Sequence, residues 1–325
     1  MSSFNKVIVF TVVVFAVCSI QKLFAQNEPQ FTHYMFNRAI FNPAYAGSAD
    51  AIEINALHRS QYVNIAATAI NTQFFGVNLP IHAASSGVGI SVVNDLAGAL
   101  RSTYVSLQYN YRKKMKWGNI SAGVGIGLVQ TGLDGKKLRA PDGNYNGGIN
   151  HSDDYLPTSL QQAVAPDFSV GIYFNNKNWF AGVAVNHIAA SVAKFQSGLK
   201  LNYARNILVS GGYDFNISKK FSLMPSLFLK SDFKKVQMDV ALHATIARNF
   251  LSGISFRGYN GNSIDAVAPF VGFTYKGFRL VYSYDINIST LKSFNSGSHE
   301  VSAAYIISYV KKERKPLIYH NPRFL

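Results

Sequence analysis

Residues 103–111 read Thr-Tyr-Val-Ser-Leu-Gln-Tyr-Asn-Tyr, so Thr103, Val105, Leu107, Tyr109 and Tyr111 alternate with Tyr104, Ser106, Gln108 and Asn110. A period of two sets these groups on opposite faces of an extended strand, the first apolar apart from its threonine and the second more polar. Working outward, Val236, Met238, Val240, Leu242, Ala244 and Ile246 oppose Gln237, Asp239, His243 and Thr245 in the same way. Phe278, Leu280, Tyr282, Tyr284 and Ile286 oppose Arg279, Ser283, Asp285 and Asn287, and Val301, Ala303, Tyr305, Ile307 and Tyr309 oppose Glu300, Ser302 and Ser308. About fourteen such segments are expected, near 51–58, 69–78, 87–94, 101–111, 118–128, 165–173, 179–187, 205–215, 221–230, 236–247, 250–259, 266–275, 278–286 and 298–309. Most approach the roughly 9–11 residues that a tilted transmembrane strand needs.

A soluble β-sandwich also alternates, but three features point to an all-β, transmembrane antiparallel β-barrel of about fourteen strands. The polar faces carry mainly Ser, Gly, Asn, Gln and Thr rather than charge. Aromatic residues such as Tyr109, Tyr111, Trp117, Trp179, Tyr275, Tyr282 and Tyr284 fall near strand ends, as in the girdles of outer-membrane barrels. Connections alternate in length, with residues 129–164, 188–204 and 287–297 the longest and all on one side; such barrels have short periplasmic turns and longer outer loops. Hydrocarbon offers the backbone no hydrogen-bond partner, so the sheet must close. An even strand count then brings both termini to the periplasmic side. The composition agrees: 48% of the 325 residues are hydrophobic and only 14% charged, against roughly 25% in soluble domains. Disorder and coiled coils are excluded.

Lys6, the apolar run Val7 to Val17 and the small Ala25 read as a signal peptide over residues 1–25, too short to span a bilayer. Cleavage there removes Lys6, Lys22 and the single cysteine, Cys18, lowering the net charge from +15 to +13. Disulfides, thiolate metal sites and cysteine nucleophiles then drop out. The mature chain divides into an N-terminal periplasmic or plug segment (26–50), the barrel (51–310) and a basic tail (311–325).

On this topology the periplasmic turns carry Arg112, Lys113, Lys114, Lys116, Lys177, Lys219, Lys220, Arg248 and Lys276, and the tail adds Lys311, Lys312, Arg314, Lys315 and Arg323. The longest outer loop holds Asp134, Asp142, Asp153 and Asp154 beside Lys136, Lys137 and Arg139. A basic inner rim suits lipid head groups or a periplasmic protein. Nucleic acid is not expected, since a secreted barrel offers neither recognition helix nor stacking platform.

Between leader and first strand the chain reads Pro29-Gln-Phe-Thr-His-Tyr-Met-Phe-Asn37 and then Phe41-Asn-Pro-Ala-Tyr-Ala-Gly-Ser48. Its first half is apolar enough for a short docking helix, which Asn42-Pro43 ends. Here the sequence resembles the PorP/SprF family of Bacteroidetes outer-membrane proteins associated with type IX secretion and gliding, which opens with PQFSQYMFN and NPAYAGS; Thr32, His33 and Arg38 depart from that pattern. Tyr284-Asp-Ile-Asn-Ile-Ser-Thr-Leu291, Ser296-Gly-Ser-His-Glu300 and the closing Asn321-Pro-Arg-Phe-Leu325 extend the likeness over almost the whole mature chain. The resemblance implies a fourteen-stranded barrel that attaches or presents secreted adhesins or their C-terminal sorting domains and meets periplasmic secretion components. Protein contact is expected at Gln30, Phe31, Tyr34, Met35, Phe36, Asn42, Pro43 and Tyr45, unless that segment is a plug against the barrel's own interior. The basic residues of the rim and tail are the second expected contact.

Catalytic residues, cofactors and metals are not expected. Asp142, Asn144, Asn146, Gly147 and Asp153 have calcium-loop spacing but lie in a turn-rich loop without flanking helices. His151 with Asp153 and Asp154 clusters in one loop, whereas a hydrolase needs groups converging across strands. Asp239, His243, Asp285 and Glu300 read as a hydrogen-bonded lumen, and Gly123, Gly125 and Gly127 as relief of crowding inside the barrel. A non-enzymatic adaptor is therefore the expected function, with a passive or ligand-selective porin as the alternative.

Overall fold

The structure, a computed structural model, describes residues 28–65, 70–259, 263–288 and 295–308. The leader over 1–25, the tail lysines and arginines from Lys311 onward and the Asn321–Leu325 motif lie outside the described residues.

Among the described residues seventeen strands form: β1 (Ala51–Gln61), β2 (Ile70–Ile81), β3 (Ser86–Ala97), β4 (Leu100–Met115), β5 (Gly118–Asp134), β6 (Leu160–Asn175), β7 (Trp179–Asn186), β8 (Val192–Lys194), β9 (Lys200–Asn202), β10 (Asn206–Tyr213), β11 (Phe215–Ser218), β12 (Phe221–Ser231), β13 (Val236–Ile246), β14 (Phe250–Tyr259), β15 (Ser263–Tyr275), β16 (Phe278–Asn287) and β17 (Ser298–Ser308). Each neighbour in the sheet is antiparallel; β1 pairs with both β2 and β17, and β10 with both β7 and β12, so the sheet closes. The result is a closed 14-strand antiparallel barrel, with a strand at each of the fourteen expected places. β11 is a short extension beyond β10 that pairs with the start of β12, and β8 and β9 form a separate hairpin within a long loop.

Burial decides against a soluble sandwich. In β4 the apolar Leu107 and Tyr111 are 61% and 57% exposed while their neighbours Gln108 and Asn110 are 7% and 1% exposed. The molecule is inside out relative to a water-soluble domain, with an apolar surface fit for hydrocarbon and a largely polar inner wall. Trp117, Phe174 and Trp179 stack at one edge of that surface, with ring centroids 4.9 and 4.2 Å apart.

Both ends of the barrel sequence, the start of β1 and the end of β17, lie at one end of the barrel with the turns 82–85, 116–117, 176–178, 247–249 and 276–277. The opposite end carries the connections 135–159 and 187–205 and, beyond β16 and before β17, Ile288 and residues 295–297. The 187–205 loop folds inward, where Ala193, Phe195 and Tyr203 bury against Val129, Leu133, Ala163 and Ala165 of the β5 and β6 inner faces.

Placing a charge at the middle of the lipid-facing surface is expensive, whereas the edge tolerates it. Leu107→Lys is expected to lower the unfolding free energy in a bilayer by about 2–4 kcal/mol, and Tyr111→Lys by about 0–1 kcal/mol through loss of charge tolerance alone. Urea titration of the refolded protein in vesicles measures both.

Candidate functional site

The N-terminal segment runs through the lumen from one end of the barrel to the other. Glu28 sits at the long-loop end, where the Asn186 side chain donates to its carboxylate (3.1 Å) and Lys230 to its backbone carbonyl (3.3 Å). At the far end Arg112 pairs with Asp50 (2.7 Å) and donates to the Gly47 carbonyl (3.1 Å). Glu28 thus lies at the end of the barrel opposite that at which β17 finishes.

The segment makes no α-helix. It forms two 3-10 turns, Arg38–Ile40 and Pro43–Tyr45, the second capped by Asn42, whose side-chain oxygen accepts from the Ala44 amide (2.9 Å). Wall side chains satisfy the backbone groups that a helix would have paired. Arg279 donates to the Phe36 carbonyl (3.1 Å), Gln108 to that of Ala39 (2.9 Å), and Asn110 to those of Ala44 (2.7 Å) and Ala46 (2.6 Å). Phe31, Tyr34, Met35 and Phe41 bury against Leu57, Phe74, Val93, Phe228 and Phe270 of the wall, each burial worth about 1.5–3 kcal/mol. Phe41 and Tyr34 both pack on Phe228, at 4.6 and 5.2 Å between ring centroids.

Space for the segment comes from glycines. A Cβ at Gly123 would stand 2.5 Å from the Ala44 Cα, and Cβ atoms at Gly87 and Gly171 would collide with the Ala46 carbonyl and the Asn42 side chain. The glycine row read as relief of crowding is in part this seat: Gly123 meets Ala44 and Gly125 faces Pro43.

A buried ion cluster grips the middle of the plug. Arg59 reaches Asp285 (2.7 Å) and Glu300 (2.9 Å), and Arg257 reaches Asp239 (2.7 Å) and Asp285 (3.2 Å). Thr32 is threaded into it: its hydroxyl donates to Asp285 (2.9 Å) and accepts from Arg59 (2.9 Å), while the amides of Thr32 and His33 donate to Glu300, both at 2.8 Å. The His33 ring, fully buried, stands with Nδ1 3.3 Å from Glu300. Asp239, Asp285 and Glu300 are lumen residues, and His243 packs on Phe36 at 5.3 Å. Their partners Arg59 and Arg257 were missed in the sequence, although each occupies an inward position of its strand's alternation.

Nearer the long-loop end, His187 stands between two carboxylates, with Nδ1 2.8 Å from Asp167 and Nε2 3.3 Å from Glu28. Burial opposes its charge, but the hydrogen bond to Asp167 and the two negative charges outweigh that and raise its pKa to about 10.

The residues expected to meet a partner therefore divide. Phe31, Tyr34, Met35, Asn42, Pro43 and Tyr45 are buried in the lumen, Phe36 and Gln30 are half-buried there, and Gln30 accepts from Gln61 (3.0 Å). These side chains face the barrel's own wall, the arrangement of the plug that the sequence left open beside partner contact. Lys113, Lys114, Lys116, Lys219 and Lys220 are exposed at the short-turn end, whereas Arg112 is largely spent on Asp50 and Gly47. In the 135–159 loop, Asn144 and Asp153 cap their own turns by accepting from the amides of Asn146 (3.0 Å) and Tyr155 (2.9 Å). His151 is buried between the Tyr145 hydroxyl (3.1 Å) and the Pro157 carbonyl (3.0 Å). Among the described residues no group of three or more His, Cys, Asp or Glu side chains is placed to hold a metal ion.

Residues 23–305 match the family model described as type IX secretion system membrane protein PorP/SprF. The chain belongs to the PorP/SprF family. It is an outer-membrane β-barrel protein. Comparison with curated proteins finds no match. Among solved structures it is similar to the Ralstonia pickettii toluene transporter TbuX (9% identity, 86% of this chain and 94% of that one, TM-score 0.47). It is also similar to a Pseudomonas aeruginosa FadL homologue (10%, 87% and 95%, TM-score 0.45) and to Acinetobacter baumannii Omp33 (8%, 80% and 99%, TM-score 0.42).

Two outcomes follow for this PorP/SprF protein. Arg59→Met leaves Asp285 and Glu300 short of a buried countercharge and is expected to cost about 3–5 kcal/mol, read as a fall in the thermal unfolding midpoint in detergent. The His187 pair has a folded-state pKa above the unfolded value, so its stabilisation is complete below about 6.5, declines as pH rises and is gone above about 10. Amide exchange at the leading end of the plug should accelerate across that window, and His187→Gln should flatten the profile.

Proposed function

We propose that this protein is a non-enzymatic adaptor of the type IX secretion system. Its long-loop face binds or presents an exported adhesin-type protein, and its basic short-turn rim meets periplasmic secretion or gliding components and lipid head groups. The observation that carries this reading is the plug: with residues 28–48 seated through the lumen, the two faces are the surfaces left for function. A porin needs an open lumen and fits less well. Family membership supports the secretion role. The usual asymmetry of outer-membrane barrels supports setting the short-turn end toward the periplasm.

Charge separates the two faces. Nine cations occupy the short turns (Arg112, Lys113, Lys114, Lys116, Lys177, Lys219, Lys220, Arg248 and Lys276) beside the acidic Asp50 and Asp214. The 135–159 connection mixes both signs. A predominantly basic rim favours an anionic partner and makes its binding sensitive to salt.

Co-purification of the detergent-solubilised protein with its neighbours tests the reading. An exported surface protein and periplasmic components should both be recovered. Exchanging Lys113, Lys114, Lys116, Lys219 and Lys220 for Gln should release the periplasmic partners and retain the exported one. Recovery of neither class sinks the proposal. Deletion of residues 28–48 should convert a barrel of low conductance in planar bilayers into an open pore; unchanged high conductance in both would favour the porin.

A further inference from the structure

Glu28 is the single acidic residue of the plug between positions 28 and 48, and it lies at the plug's outermost described position. Its carboxylate occupies a receptor supplied by the barrel. Asn186 donates to it at 3.1 Å, the His187 imidazolium faces it at 3.3 Å, and Lys230 holds the adjacent backbone carbonyl at 3.3 Å. Burial disfavours the Glu28 charge, yet His187, Lys230 and Asn186 outweigh that and hold its pKa below the usual carboxylate value.

Three details mark this as more than a latch. The His187 side chain is only 5% exposed, but its Nε2 makes no hydrogen bond of good geometry, so Glu28 fills the receptor imperfectly. A buried donor left in this state represents free energy that a better-placed acceptor recovers. His187 also has a left-handed backbone, with φ 54°, a conformation strained for a residue other than glycine. That conformation sets the ring at the junction of β7 and the inward-folding loop. Finally, a cavity of ≈ 70 Å³ lined by Glu28, Phe31, Phe41, Tyr104, Asp167 and His187 adjoins the carboxylate. The side chains of Glu28 and Asp167 are 10% and 21% exposed, so the cluster has an edge open to solvent.

We infer that Asn186, His187 and Lys230 form a carboxylate-binding site at the long-loop end, which Glu28 occupies in cis and which an acidic side chain or terminal carboxylate of an extended peptide takes in exchange. The exchange displaces only the leading turn of the plug; the ion cluster at Thr32 and the glycine seat at Ala44 keep the remainder in place. The inference rests on the adaptor reading, because it names the chemistry by which the long-loop face would recognise its partner.

Fluorescence anisotropy of the full chain in detergent tests it, with labelled Gly-Gly-Glu-Glu and Gly-Gly-Gln-Gln amides as probes. Glu28→Gln removes the internal competitor and should bind the acidic peptide about tenfold more tightly than wild type does, with no gain for the amide peptide. Adding His187→Gln should abolish the gain. Should that variant fail to fold, Asn186→Leu in the Glu28→Gln background serves the same purpose. Equal affinity of Glu28→Gln for both peptides, or a gain that survives loss of His187 or Asn186, overturns the inference. Co-purification of an exported partner by wild type beside a carboxylate-blind Glu28→Gln overturns it while leaving the adaptor reading intact. A carboxylate preference without any co-purified partner upholds the site and removes the adaptor role.

Discussion

The barrel's inner wall carries polar and charged groups that are almost completely withdrawn from solvent, and every other feature of the lumen answers that constraint. Arg59, Lys230, Asp239, Asp285 and Glu300 are each at most 1% exposed. An isolated buried charge costs several kcal/mol, so these groups persist only where countercharges and hydrogen bonds meet them. Wall-to-wall pairs provide part of this. The plug provides the rest, through the Thr32 hydroxyl and the amides of Thr32 and His33. In exchange the wall satisfies a plug backbone that has almost no regular structure of its own. Neither partner is complete without the other, and the aromatic contacts at Phe228 add apolar burial to the polar exchange.

The barrel was legible in the sequence because its signal is local. A strand with lipid on one side and a packed lumen on the other repeats every two residues, and β4, β13, β16 and β17 each display that repeat within about ten residues. The lumen was legible only as a residue type. Asp239, Asp285 and Glu300 sat on the polar faces, but their partners come from far away: Arg59 lies 241 residues from Glu300 and 226 from Asp285. Periodicity cannot encode such pairings. The plug shows the same limit. An apolar stretch beginning Pro29-Gln-Phe could equally face a partner or the protein's own interior, and only the cavities left by Gly87, Gly123 and Gly171 distinguish the two. Its direction of travel was not legible at all, because that depends on where Glu28 finds Asn186 and His187 in the closed barrel.

With the interior committed, functional specificity falls to the rims, and they differ in kind. The short-turn rim presents exposed lysines on tight turns, a charged surface that attracts at range and discriminates little. The long-loop end is built in depth: the 187–205 loop packs inward on β5 and β6, and His187 at its start holds Asp167, Glu28 and the neighbouring strand in one arrangement. Charge at one end and shape with hydrogen bonds at the other is the division of labour that the proposed adaptor role calls for.

The plug and the closure of the barrel are also one structural event. Arg59 and Glu300 are direct cross-strand partners in the β1 and β17 ladder, the seam where the first barrel strand meets the last. Glu300 is also the acceptor for the two plug amides, and Arg59 donates to the plug hydroxyl. The residues that join the seam are therefore the residues that hold the plug. Since the plug precedes β1 by only a few residues and crosses the whole lumen, it must lie inside when β17 completes the ladder or be drawn in afterward through the short-turn end. The first order costs less: Glu300 meets Arg59 and the Thr32 and His33 amides together, and none of these groups is buried while waiting for a partner.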